Sequence, residues 1–329
     1  MHKDTPPPSS LPYTAGNIVF VPLSPVGGRG FFDKLSVLWK LPGTIRKIRS
    51  VLKKVDAFQL RTPTGIGVYL IPWFFLFVKK QGWYKYAGNW NQLNAPLGYA
   101  LQRGMLKKQS RKVTINGRWA DQPVHCYTFE NPCLHLNERE EGRHIIDGKQ
   151  YVSAFSFCFV GRLDDDKGVQ RIIDAFKKVK KVDKIKMIHF VGDGPKHAEY
   201  QKQADELKLP MKFHGFLKRE AVFELYRESH FLLLPSTASE GFPKVIAEGM
   251  NFGCIPIVSG VSSIGQYINS SNGYIVDPVT SEGLKAVLDV LISEEAERLK
   301  LKAITGYDVA ENFTFQHYSD RIFNEILAS

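Results

Sequence analysis

The chain has 329 residues, 43% hydrophobic and 23% charged, which is room for two α/β domains and the composition of an ordinary globular protein. Its net charge of +11 is uneven: residues 1–150 hold 22 Lys and Arg against nine Asp and Glu, and the remainder holds 22 against 24. A basic half can attract nucleic acid, anionic lipid or an anionic substrate, and charge alone does not choose among them.

The opening, Met1 to Ser10, is polar and proline-rich, without the apolar core of a signal peptide. Asn17 to Leu23 reads as a buried strand. Phe31 to Lys54 is basic and amphipathic, broken at Pro42. It reads either as a helix packed on a sheet with a solvated basic face, or as a contact with an anionic membrane surface. Strands follow at Ala57 to Arg61, Trp83 to Tyr86 and Lys112 to Asn116, with helices at Gly65 to Phe77 and Leu97 to Lys108. The apolar run Val68 to Val78 contains Pro72 and ends at Lys79-Lys80; it is short of the about 20 residues that span a bilayer and reads as a buried helix. Arg139 to Gln150 reads as a linker.

The second half alternates more regularly. Ser153 to Val160 is a continuous apolar strand of the kind a doubly covered parallel sheet uses. Strands follow at Ile185 to Val191, Met211 to His214, Phe231 to Pro235 and Ile255 to Ser259. Helices precede or follow them at Gly168 to Lys181, Lys196 to Leu207, Arg219 to Glu228 and Pro243 to Asn251, then Ser281 to Ser293, Glu295 to Ala310 and Thr314 to Leu327. Alternating strands and helices imply βαβ units and a parallel sheet. The cysteines, Cys126, Cys133, Cys158 and Cys254, lack C-x-x-C spacing, which argues against a zinc site or disulfide framework and fits a reducing cytosol.

Four strand-end motifs carry the chemistry. Gly161-Arg162 through Lys167-Gly168 follows a strand and opens a helix, so backbone N–H groups, a guanidinium and an ammonium converge where a diphosphate could sit. An ordinary charged surface turn reads the same way. Glu240 and Glu248 flank Gly241, Phe242, Pro243, Lys244 and Val245. Pro243 suits the first helical position, and the N–H groups near 242–245 then face the sheet's carboxyl end. Lys244 could add a phosphate contact, Glu248 could accept from ribose hydroxyls, and Glu240 from sugar hydroxyls; Glu248 could equally be an exposed helix residue. Gly192-Asp193-Gly194 is a glycine turn in which Asp193 can cap the next helix. His214-Gly215 is a strand end whose backbone could hold a nucleobase, or a structural histidine.

Taken in order, GR-x₄-KG, GDGP, FHG, LPS-x₃-EGFPKVIAEGM and the stretch Gly253 to Ser259 resemble the donor-binding domain of glycosyltransferase family 4, the group 1 glycosyltransferases of the GT-B fold. The resemblance runs from Phe155 to about Val290. Thr314 to Arg321 looks like that family's closing helix. VPLSPVGGRG, LRTP-x-x-IG, KYAGNW and TINGRW are similar, more weakly, to bacterial members acting on cell-surface polysaccharides.

The resemblance implies an α/β fold of two Rossmann-like domains with parallel sheets facing a cleft. Residues 1–150 would form a reduced acceptor-side domain, 151–310 the donor domain, and 311–329 a helix closing back on the first. It implies a retaining transfer from a nucleoside diphosphate-sugar to a cell-envelope polysaccharide or lipid-linked acceptor, with no metal and no cofactor. Arg162 and Lys167 would hold the diphosphate and Glu240 the donor sugar. Gly161, Gly192, Gly194, His214, Gly215, Gly241, Phe242, Pro243, Lys244, Val245 and Glu248 would line the donor site. The expected place is the cytoplasm, in peripheral contact with the inner membrane face through residues 31–54. Two departures stand out. The family's opening strand–helix–strand is missing, so Gly27-Gly28 is not assigned the phosphate loop, and no histidine stands within Lys85 to Trp90. The competing reading is a non-catalytic or impaired nucleotide-sugar-binding protein with a truncated acceptor domain. Nucleic-acid binding lacks the interleaved aromatic and basic pattern it would need.

Overall fold

The computed structural model describes residues 15–23, 31–152 and 154–328, with side chains throughout except at 31–38. Met1 to Ser10, Gly27-Gly28, most of VPLSPVGGRG, Ser153 and the apolar side chains Phe31 to Leu38 therefore lie outside the described residues. The chain forms two compact units, one of residues 1–88, 93–115 and 123–127, the other of 89–92, 116–122 and 128–329.

The first unit holds helix α1 (Phe31–Leu52), strand β1 (Phe58–Thr62), α2 (Gly67–Phe77), β2 (Gly82–Asn89), α3 (Leu97–Lys108), β3 (Val113–Asn116) and β4 (Cys126–Thr128). Its four-stranded sheet has the order β1-β2-β3-β4, with β1 and β2 parallel from Phe58 opposite Gly82 to Thr62 opposite Tyr86. Leu70, Ile71, Trp73 and Phe74 of α2 are buried, the Phe74 ring 4.4 Å from that of Phe58 in β1, and the sheet's own core side chains include Phe58, Tyr84, Tyr86, Val113 and Ile115. Buried Gln102 ties α3 to the start of α2: its amide oxygen accepts from Thr64 N at 3.0 Å and its nitrogen donates to Thr64 O at 2.9 Å.

Four strands were expected before residue 150, and four form, but the set differs. Asn17 to Leu23 is irregular, and Ile18, Val19 and Phe20 are exposed, Val19 by 83%. A strand exists only through its ladder, and among the described residues the sheet order includes no strand from this segment. Cys126–Thr128 takes the fourth place. Pro42 does not break α1, which runs unbroken from Phe31 to Leu52; the proline is exposed, and Thr44 Oγ1 donates to Lys40 O at 3.0 Å inside the helix.

The second unit holds α4 (Leu136–Gly148), β5 (Phe155–Val160), α5 (Val169–Lys177), β6 (Ile185–Val191), α6 (His197–Leu207), β7 (Met211–Phe213), α7 (Arg219–Glu228), β8 (Phe231–Leu234), α8 (Lys244–Asn251), β9 (Ile255–Val258), α9 (Ile264–Tyr267), β10 (Tyr274–Ile275), α10 (Ser281–Leu291), α11 (Ala296–Ala310) and α12 (Phe315–Arg321). Its six strands lie in the order β10-β9-β8-β5-β6-β7, and every neighbouring pair is parallel. Phe157, Phe159, Phe190 and Phe231 are fully buried, as helices on both faces require.

The expected linker Arg139 to Gln150 is instead most of α4. Glu138 starts the helix by accepting from His135 N at 2.8 Å. Arg139 is buried, pairs with Glu311 at 3.0 Å, donates to Asn251 Oδ1 at 2.9 Å and lies 3.5 Å over the Tyr307 ring. Lys149 is half-buried, its ammonium donating to the carbonyls of Tyr226 (3.0 Å), Ser229 (2.6 Å) and Phe252 (2.6 Å), and this burial draws its pKa down. Charges that read as solvated are spent on partners far along the chain. The segment before α12 is bound to residues 133–134, with Cys133 N donating to Phe313 O at 2.8 Å and Phe315 N to Leu134 O at 2.9 Å.

Candidate functional site

The chain leaves β5 toward β6 and β7 on one side, then crosses back to β8 and on to β9 and β10. The switch lies between β5 and β8, and at such a point the loops at the strands' carboxyl ends diverge and leave a crevice for a ligand. The motifs named from sequence occupy the loops after β5, β6, β7 and β8.

Backbone bonds lock these loops together. Gly161 N donates to Val191 O at 2.9 Å and Leu163 N to Asp193 O at 3.0 Å, joining the loops after β5 and β6. Thr237 N donates to Asp166 O at 2.8 Å and Ser236 Oγ to the same carbonyl at 3.0 Å, joining those after β5 and β8. Two glycines make this approach possible. Gly192, at φ +129°, has Gly161 O only 1.9 Å from where a Cβ would stand; Gly168, at φ +92°, has Pro235 O at 2.4 Å.

Within this frame the two charged motifs meet. Lys167, only 17% exposed, forms an ion pair with the carboxylate of Glu240. Arg162 points largely into solvent and is bonded through Nε to Asp164. Asp164 is buried and its other oxygen accepts from Lys167 N at 2.9 Å, so it shapes the loop and turns the guanidinium. The neighbouring acids are also engaged. Asp165 accepts from Tyr200 at 2.7 Å and pairs with Lys196 at 2.5 Å; the Lys196 bond, then the Tyr200 bond, hold its carboxyl below the usual range.

Pro243 sits one residue before α8, in extended conformation (φ −66°, ψ 123°), not at the first helical position as expected. Its carbonyl accepts from Ile246 N at 3.1 Å, so the first turn begins with Lys244, whose side chain is exposed. Phe242 is buried, stacked on Phe313 at 4.5 Å, so only its backbone is available to a ligand. Val245 and Gly241 are half-buried. Glu248 stands one turn into α8 beside Arg219 and Lys244; burial raises its pKa, against the pull of those two cations. Arg219 is held by Glu138, with Nη2 donating to Oε2 at 3.0 Å.

Asp193 does not cap α6 at its terminus. Its carboxylate accepts from Gly194 N at 2.8 Å and meets His197 Nδ1 at 3.1 Å, fixing the turn. The His214 ring is turned onto His189, with Nε2 2.9 Å from Nδ1, as a structural histidine would be. The backbone N–H of His214 donates to Phe190 O at 2.9 Å, and Gly215 O accepts from Gly192 N at 2.8 Å. Sequence reasoning missed Asp164 and His189. Asp164 carried a signal, an acid two residues after the arginine of the motif; His189 lies inside a strand and carried none.

Among the described residues, no group of three or more His, Cys, Asp or Glu is placed to hold a metal. The four cysteines are buried, and none is in a disulfide. No described helix is long and apolar enough to cross a membrane.

Residues 146–305 match the family described as glycosyl transferases group 1. The amylovoran biosynthesis glycosyltransferase AmsD of Erwinia amylovora is 30% identical over 139 residues, covering 42% of this chain and 39% of that protein. The lipopolysaccharide 1,2-N-acetylglucosaminetransferase of Salmonella typhimurium is 27% identical over 179 residues, covering 48% and 46%. The chain thus spans less than half the length of these curated relatives. Among solved structures, Anabaena Alr3699/HepE in complex with UDP and glucose superimposes with a TM-score of 0.67 at 16% identity, over 87% of this chain and 81% of that one. Residues 146–305 are a group 1 glycosyltransferase domain, in a chain of GT-B fold whose first sheet has four strands.

Proposed function

We propose that the protein transfers a sugar from a nucleoside diphosphate-sugar to a glycan or lipid-linked acceptor of the cell envelope, with retention of anomeric configuration and without a bound metal. The observation that carries this reading is the Lys167–Glu240 ion pair, which joins the cationic loop after β5 to the acidic loop after β8. The Anabaena neighbour holds UDP and glucose, and the Erwinia and Salmonella relatives are named for amylovoran and lipopolysaccharide synthesis, which supports the donor and acceptor classes.

In this reading the diphosphate lies between Arg162, Lys167 and the first N–H groups of α8. As the bond from the anomeric carbon to the diphosphate oxygen breaks, negative charge grows on the leaving oxygens. Fixed cations and a helix N-terminus stabilise that charge where it develops. The acceptor oxygen approaches from the face the diphosphate leaves, and its proton passes to a diphosphate oxygen. Glu240 accepts from sugar hydroxyls once the diphosphate has taken Lys167 from it. Glu248 accepts from the ribose diol, and the backbone of His214-Gly215 holds the base through Gly215 N–H and His214 C=O. The reaction takes place in the cytoplasm, where the sugar nucleotide is supplied.

A second reading, a nucleotide-sugar binder without turnover, is favoured by one observation, the four-stranded first sheet. Turnover of a nucleotide-sugar panel, read as nucleoside diphosphate release, separates the two. Wild type should release diphosphate, and Arg162→Ala should lower the rate by about 10²–10³, the usual cost of losing one transition-state donor. Donor binding with no release by wild type would establish the second reading, and an unchanged rate in the variant would remove Arg162 from the site.

A further inference from the structure

Helix α2 begins as a core element and ends as something else. Leu70, Ile71, Trp73 and Phe74 are buried, but the last turn presents Phe75, Leu76 and Phe77 to solvent at 52, 66 and 65% exposure. Three consecutive exposed apolar residues on one turn are costly in water and mark a surface meant to be covered.

The surroundings say what covers it. Phe77 and Trp73 share a hollow of about 390 Å³ with Arg49, Lys53, Lys79 and Lys80. Arg49 lies over the Trp73 ring at 5.5 Å. Residues 39–55 carry six Lys and Arg and no Asp or Glu, and residues 63–81 carry Lys79 and Lys80 with no acid. Lys53 and Lys79 are exposed. A protein partner's apolar patch would not need this unbalanced positive rim. An anionic bilayer meets both halves, since its acyl boundary takes aromatic and leucine side chains while its phosphates face the cations.

We propose that the end of α2, with the basic C-terminal part of α1, is a docking face for an anionic phospholipid bilayer, with Phe75, Leu76 and Phe77 as the inserted wedge. The face belongs to the first unit, and its test uses no nucleotide, so it stands or falls apart from the donor site. Docking there would let a chain with no spanning helix among its described residues work on acceptors anchored in lipid.

Co-sedimentation of the full chain with phosphatidylcholine vesicles, with and without phosphatidylglycerol, tests this. The protein should pellet with the anionic vesicles, less so at high salt, and stay in solution with the neutral ones. Lys53→Gln with Lys79→Gln should weaken partitioning by about fivefold per charge removed. Phe75→Ser with Phe77→Ser should weaken it by roughly tenfold or more. The lysine pair is exposed and leaves the fold intact, so it decides the matter should the aromatic pair misfold. Equal binding to neutral and anionic vesicles, or anionic binding unchanged by the lysine pair, would overturn the proposal.

Discussion

Among the described residues, the charged partner of Lys167 is Glu240. An ammonium only 17% exposed gains from a counter-charge, and the carboxylate supplies it. In the proposed donor reading the pair also implies competition: an incoming diphosphate would have to take Lys167 from the carboxylate. Glu240→Gln removes the competitor. The variant should bind nucleoside diphosphate several-fold more tightly by titration calorimetry, while releasing it from a sugar donor at least tenfold more slowly. If affinity falls together with turnover, Glu240 assists the diphosphate and does not compete with it. Sequence alone exposed both residues as candidates but not their pairing, because 73 positions of chain separate them. The acid run Asp164 to Asp166 was likewise legible as a turn, while its tasks, shaping the loop and anchoring Lys196 and Tyr200, depend on neighbours brought by the fold.

At the scale of elements, three histidines, one in β6, one just after β7 and one just before β8, carry a pH dependence. Burial, then the nearby His214 and Lys212, lowers the His189 pKa to about 4; burial, then Lys212, lowers that of His214. Burial, then Lys149, brings His230 to about 4 as well. These rings are neutral in the folded protein and bind protons more readily once unfolded, near pH 6.5. Their contribution to stability is therefore present above pH 6.5 and is lost as pH falls toward 4. Thermal melts should show a falling melting temperature across that window, and His189→Asn should flatten the fall. A melting temperature that is level from pH 6.5 to 4 in wild type would contradict this.

The elements legible in sequence were those whose signals are local. The apolar runs of β5, β6, β8 and β9 and the glycine turns after them fall within a residue or two of expectation. Signals that depend on distant partners misled. Asn17 to Leu23 has the composition of a strand and no ladder to join. Helix α4 has the composition of a linker, but Arg139 and Lys149 find buried partners more than 75 positions away. Phe75 to Phe77 read as part of a buried helix because an apolar run does not say which of its residues the core will reach.

The whole molecule joins a complete six-stranded unit to a basic unit of four strands. The complete unit carries the family match and all the loops of the donor reading, and the shorter one carries the cationic, apolar face. A donor site built wholly on the larger unit should bind the leaving nucleotide even where the smaller unit limits transfer. In the proposed reading, the loops at 161–168 and 240–248 hold a diphosphate through fixed cations. Titration calorimetry with UDP, GDP and ADP against wild type, Arg162→Ala and Lys167→Ala tests it most directly. One nucleotide should bind wild type, and each variant should bind it at least tenfold more weakly with an unchanged melting temperature. Equal affinity in all three proteins, or no nucleotide bound by wild type, would contradict the account.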